Sequence, residues 1–252
     1  MVAASHTREI KVVPNADVLS RAAARMFVRL AKQAVRAKGS FAVALSGGST
    51  PKGLYKLLAG DATFRTTVPW AQTQFFWSDE RHVSPDHQDS NYRMAYESML
   101  SRLPVPSANI HRIKGEMENA RQGADDYEQR LREFFRLESG GLPRFDLVLL
   151  GMGPDGHTAS LFPESIALSE ALRLTVAYRV EKLNADRITL TAPVFNSAAS
   201  VIFLVSGEEK AAMLRTVLQG PSQPRRFPAQ LVRPTAGTLT WLVDSAAAGQ
   251  LG

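Results

Sequence analysis

An acid and an imidazole flank a single glycine in Asp155-Gly156-His157, within the run Gly151-Met152-Gly153-Pro154-Asp155-Gly156-His157-Thr158-Ala159-Ser160-Leu161-Phe162-Pro163. A histidine can be neutral at physiological pH and take a proton from a reacting group. The run follows Phe145-Asp146-Leu147-Val148-Leu149-Leu150, an apolar stretch of strand length. A buried strand, then glycines, then Asp-Gly-His brings an acid and a base to the carboxyl end of a sheet, where open α/β folds bind ligands. The same residues also suit a tight turn capped by Asp155, with His157 opening a surface helix.

Leu45-Ser46-Gly47-Gly48-Ser49-Thr50-Pro51 offers a different chemistry. Gly47 and Gly48 let backbone approach a ligand closely. N–H groups at a helix start attract an anion, and Ser46, Ser49 and Thr50 add hydroxyl donors. The loop lacks the Lys-Ser/Thr ending of a P-loop and the glycine spacing of a dinucleotide fingerprint, which favours a monophosphate over a nucleotide. A plain strand-to-helix turn with a Ser/Thr cap is the alternative.

Trp77-Ser78-Asp79-Glu80-Arg81-His82 ends another apolar stretch. Arg81 can hold a carboxylate or phosphate bidentately. Asp79 can orient hydroxyl groups or act as a base, unless it merely pairs with Arg81. Asn91-Tyr92-Arg93 offers a second arginine. Lys210 falls where a helix begins after Gly207, and a cation there opposes the helix dipole unless an anion is bound. Arg187, at the start of a strand, is a further candidate cation. The other histidines read as structural: His6 in the terminal segment, His87 and His111 in polar loops, His82 behind the site. No His-x-x-x-His or carboxylate cluster reads as a metal site.

Helical spacing of apolar residues predicts helices over 17–38, 52–58, 89–103 and 120–137, and from Gly207 through Leu218. Gly39 ends the first, and Pro51 suits a first turn. Strands are expected at 41–45, 74–77, 145–150, 172–180, 187–191, 200–205 and 238–243, with a Pro-rich loop over 221–228. Strands alternating with helices imply a three-layer α/β/α sandwich on a mainly parallel sheet, in one domain over 1–252.

The chain has 252 residues, 44% of them hydrophobic, enough for a sizeable core. The absence of cysteine excludes disulfides, thiolate metal sites and a cysteine nucleophile, and fits a cytoplasmic protein. No apolar run reaches the roughly 18 residues of a membrane span, and the N-terminus lacks the apolar core of a secretory signal. The net charge is +6, but the basic residues are dispersed without an aromatic-interleaved stripe. That disfavours nucleic acid and suits steering of a phosphorylated small molecule.

Taken together, Ser46–Pro51, Ser78–Arg81, Gly151–Pro163, Arg187–Pro193 and Gly207–Lys210 closely resemble the 6-phosphogluconolactonase family. The resemblance covers nearly the whole chain. It implies a sugar-phosphate isomerase-like fold shared with glucosamine-6-phosphate deaminase. It also implies hydrolysis of 6-phospho-D-glucono-1,5-lactone to 6-phosphogluconate, the second step of the oxidative pentose phosphate pathway, by a monomer without cofactor. The deaminase differs in carrying a glutamate where this chain has Phe162, and Asp-Glu-Tyr where it has Asp79-Glu80-Arg81. Glu164 stands two residues too late for that role.

On this resemblance, His157 deprotonates water and Asp155 orients the imidazole or the water. Arg81, or backbone around Gly153 and Gly156, stabilises the oxyanion. Ser46, Gly47, Gly48, Ser49, Thr50, Arg187 and Lys210 hold the phosphate. Ser160 lacks a Gly-x-Ser-x-Gly elbow, which argues against a serine nucleophile. A sugar-phosphate-sensing module is the non-enzymatic alternative, but the chain leaves no room for a DNA-binding segment beside the sheet.

Overall fold

The computed structural model describes residues 7–252, so His6 lies outside the described residues. The strands are β1 (Thr7–Val13), β2 (Phe41–Leu45), β3 (Thr73–Trp77), β4 (Asp79–Arg81), β5 (Leu147–Leu150), β6 (Thr175–Val180), β7 (Ala185–Leu190), β8 (Ser200–Val205) and β9 (Thr238–Asp244). The helices are α1 (Ala16–Lys38), α2 (Ser49–Gly60), α3 (Ala62–Thr67), α4 (Asn91–Ser98), α5 (Ala120–Phe135), α6 (Ala192–Ser197) and α7 (Ala211–Gln219). None of the described helices is long and apolar enough to cross a membrane.

A six-stranded sheet runs in the order β1-β9-β8-β5-β2-β3, with every neighbouring pair parallel. β2, β5 and β8 are buried along their whole length, as strands covered on both faces must be. Adjacent residues of β3 mark the two faces. Phe75 stacks on Trp70, which leans on Phe27 of α1, whereas Phe76 packs edge-on against Phe134 of α5, with ring centroids 5.1 Å apart. The expected three layers are therefore present.

The chain leaves β2 towards β3 on one side and leaves β5 towards β8 on the other. The loops after these two neighbouring strands diverge, and such a switch point opens a crevice at the carboxyl edge of the sheet. A second, antiparallel sheet, β4-β7-β6, joins this edge. Ser78 links the two sheets: its N–H donates to Leu45 O at 2.8 Å, and its carbonyl accepts from Leu190 N at 2.8 Å.

Several boundaries differ from the sequence expectation. Residues 79–81 form a strand because β7 pairs with them. The helix expected over 89–103 is α4 alone, started by Ser90 as cap and followed by a tighter turn at Leu100–Arg102. Only Ala211–Gln219 of the segment after Gly207 is α-helical, Glu208–Lys210 being a tighter turn. β1, α3 and α6 add to the expected elements. β1 is an edge strand paired with β9, and its Ile10 and Val12 face solvent.

Candidate active site

The carboxyl edge carries a cleft in two adjoining lobes. The first encloses about 260 Å³ between the Ser46–Pro51 segment, Gly151–Pro154, His157 and Lys210. The second, about 380 Å³, is bounded by Asp155, Phe162, Lys182 and Arg187. Asp79, Arg81 and His157 line both.

Three tyrosines, Tyr55 and Tyr127 buried and Tyr178 half-buried, hold three backbone segments of this edge. Tyr55 Oη accepts from Ser46 N at 3.0 Å and donates to Ser46 O at 2.8 Å, at the end of β2. Tyr127 Oη treats Trp77 in the same way at the end of β3. Tyr178 Oη donates to Ser160 O at 2.6 Å and accepts from Phe162 N at 3.3 Å. Burial pushes all three phenols up, so each remains protonated and able to donate.

His157 Nδ1 lies 2.5 Å from Asp155 Oδ1, and the His157 N–H donates to the same oxygen at 3.2 Å. Burial by itself would raise the Asp155 carboxyl, but hydrogen bonds from His157 and Lys182 outweigh it and hold the group well below the usual carboxylate range. An ionised carboxylate only accepts, so Nδ1 carries the proton and Nε2 is the basic nitrogen of the neutral ring. Nε2 has no partner among the described residues. The ring lies against Gly153, where a Cβ would sit 2.0 Å from Nδ1; only glycine fits. Its other contact is Phe162, stacked at 4.2 Å.

The Gly153 N–H donates to His157 O at 2.8 Å and that of Gly156 to Gly153 O at 3.1 Å. Both are used within the turn. Arg81 Nε is buried without a partner among the described residues, and Arg81 Nη1 donates to Asp89 O.

Asp79 is 6% exposed and accepts from Ser160 Oγ at 2.7 Å and Asn91 Nδ2 at 3.2 Å. It forms no ion pair with Arg81, and Ser160, buried and bound to it, lines the second lobe. Glu80, also buried, accepts from the N–H groups of Arg81, Asn91 and Tyr92 and from Ser90 Oγ, closing the start of α4. Asn91 thereby lines the cleft, while Arg93 pairs with Glu97 outside it.

α2 opens at Gly48, whose φ of 100° suits glycine, with neither a side-chain cap nor an acidic residue in its first turn. The N–H groups of Gly48, Ser49 and Thr50 have no acceptor among the described residues. Ser46 contributes less than expected, since Tyr55 takes its backbone and its hydroxyl donates to Gly47 O. Lys210 faces this loop across the first lobe. Arg187 does not join it: antiparallel pairing sets Arg187 opposite Arg81 and into the second lobe. Burial, and then the charge of Arg81, pushes its guanidinium down.

His82 binds Met117 O outside the cleft, and His111 lies in a loop, as expected, but is buried. No group of three His, Asp or Glu side chains suited to a metal occurs among the described residues. Lys182, which pairs with Asp155, went unread in the sequence. It lies in a turn 27 residues from its partner, and no local pattern marks it.

Residues 14–241 match the family model described as glucosamine-6-phosphate isomerases/6-phosphogluconolactonase. A 6-phosphogluconolactonase of Synechocystis sp. is 41% identical over 96% of this chain and 98% of its own. One of Nostoc sp. is 40% identical over 97% and 98%. The solved structure of 6-phosphogluconolactonase from Trypanosoma brucei superposes with a TM-score of 0.86 at 29% identity, covering 98% of this chain and 100% of that one.

Proposed function

The chain belongs to the family of glucosamine-6-phosphate isomerases and 6-phosphogluconolactonases, and from that premise we infer that it hydrolyses 6-phospho-D-glucono-1,5-lactone to 6-phospho-D-gluconate. The observation that carries the reading is His157, bound through Nδ1 to ionised Asp155 with Nε2 open to a cleft, opposite an uncapped helix start and Lys210. The phosphate sits on the N–H groups of Gly48, Ser49 and Thr50, beside Lys210. His157 Nε2 takes a proton from water as the water oxygen attacks the lactone carbonyl. The resulting oxyanion faces Arg81. Collapse breaks the bond from the carbonyl carbon to the ring oxygen, and the imidazolium returns its proton to that oxygen.

The related deamination is disfavoured. Phe162 occupies the position of its glutamate and stacks on His157, while Glu164 turns outward to pair with Arg225 at 3.2 Å. With the lactonase reading we also take the protein to be a cytoplasmic, single-domain monomer acting without metal or cofactor.

The test is a rate. The lactone, generated in situ by glucose-6-phosphate dehydrogenase, is followed to 6-phosphogluconate through the next dehydrogenase, against an enzyme-free blank because the lactone also opens spontaneously. Acceleration by the wild type that disappears in His157→Ala supports the reading. No acceleration over the blank overturns it.

A further inference from the structure

Lys182 lies in the turn between β6 and β7, and its Nζ pairs with Asp155 Oδ2. Asp155 Oδ1 is taken by His157. The same ammonium stands 4.8 Å from the centre of the Phe162 ring, the ring on which His157 stacks. Four side chains thus close a cycle, from Asp155 to His157, Phe162, Lys182 and back. Phe162 is buried, and its ring covers one side of the imidazole and of the ammonium.

We propose that Lys182 is a positioning residue of the base: it occupies Asp155 Oδ2, leaves Oδ1 to His157 Nδ1, and limits how strongly the carboxylate holds the imidazolium. The proposal deepens the reading of His157 as the base and rests on it. A lone carboxylate beside an imidazole favours the protonated ring, and a ring already protonated accepts nothing. A second cation on the same carboxylate shares its charge and leaves Nε2 free. The other charged groups around His157 are Asp79 and Arg81 on both lobes, Arg187 on the second and Lys210 on the first. Among the described residues, only Lys182 and His157 pair with Asp155. Lys182 is half exposed, so Lys182→Met removes its charge without opening the core, and its stem still covers Phe162.

The experiment compares wild type, Lys182→Met and Lys182→Arg in the coupled lactonase assay across pH. It also follows the ¹⁵N-labelled histidine rings of the ligand-free proteins by NMR. Lys182→Met is expected to lower kcat about 10- to 100-fold with KM little changed. It should also move the acid limb of kcat/KM, and the titration of His157, to higher pH. Lys182→Arg should restore both. Unchanged kcat and an unmoved titration in Lys182→Met overturn the proposal, and so does a loss confined to KM, which marks a substrate contact. If wild type shows no lactonase activity, that reading fails separately: a titration that moves with Lys182→Met still supports the positioning role, and one that does not move overturns it.

Discussion

Two histidines among the described residues lie flat on phenylalanine rings, and their ring nitrogens meet different surroundings. His157 stacks on Phe162 at 4.2 Å and His111 on Phe76 at 4.4 Å. Each has one ring nitrogen on a side-chain partner: Asp155 Oδ1 for His157, Gln74 Oε1 for His111. Asp155 is an anion and its histidine opens onto a cleft, whereas Gln74 is neutral and its histidine is walled in by Phe76 and Phe134. Burial, assisted by the charge of Arg130, pushes His111 down to about 4. Stacking and a hydrogen bond therefore do not make an imidazole a base. An anionic partner on one nitrogen and open space at the other do.

The largest effect that tests this contrast is on turnover. His157→Ala is expected to lower kcat about 100- to 10,000-fold with little change in KM, while His111→Gln leaves kcat unchanged and lowers the melting temperature. Comparable losses of turnover in the two variants would break the comparison. Removing only the anion sharpens it. Asp155→Asn should lower kcat by about 100-fold or more, since the wrong tautomer becomes accessible. Asp79→Asn, which disturbs bonds from Ser160 and Asn91, should cost less in kcat and about 1–3 kcal/mol in stability, measured by urea unfolding.

Smaller effects separate binding and folding from chemistry. Lys210→Ala should chiefly raise KM, and an unchanged KM would return Lys210 to the solvated surface. Acid stability reports on the core histidine. Because its folded value lies below the unfolded 6.5, the unfolded chain takes the proton first. Stability is then complete above about pH 6.5 and declines as pH falls towards about 4, by at most roughly 3 kcal/mol. His111→Gln should flatten that slope in unfolding curves. An unaltered slope would mean that other groups carry it.

Much of the cleft was legible because its chemistry is packed into short runs at strand ends. Phe41–Leu45, Phe145–Leu150 and Ser200–Val205 read as strands since both faces are buried, and the residues that follow them line the site. The exceptions have specific causes. Sequence order does not reveal that β7 turns antiparallel on β4, which sets Arg187 beside Arg81 rather than on the phosphate loop. That the N–H groups of Gly153 and Gly156 are taken up inside the turn is invisible in its composition. His111 lies in a polar loop, as its neighbours suggest, but that loop runs along β3, with His111 N donating to Phe75 O at 2.8 Å, and so buries the ring.

The sequence by itself determined the layered α/β architecture, the order of its strand-end motifs and the residue types able to bind phosphate and move a proton. These follow from local periodicity and side-chain chemistry, which need no partner to be recognised. Tertiary structure alone decided that Lys182 meets Asp155 and that Glu80 closes the start of α4 while α2 stays open. Each of these depends on chain segments brought together by sheet pairing and burial, and no local pattern records which distant side chain will arrive.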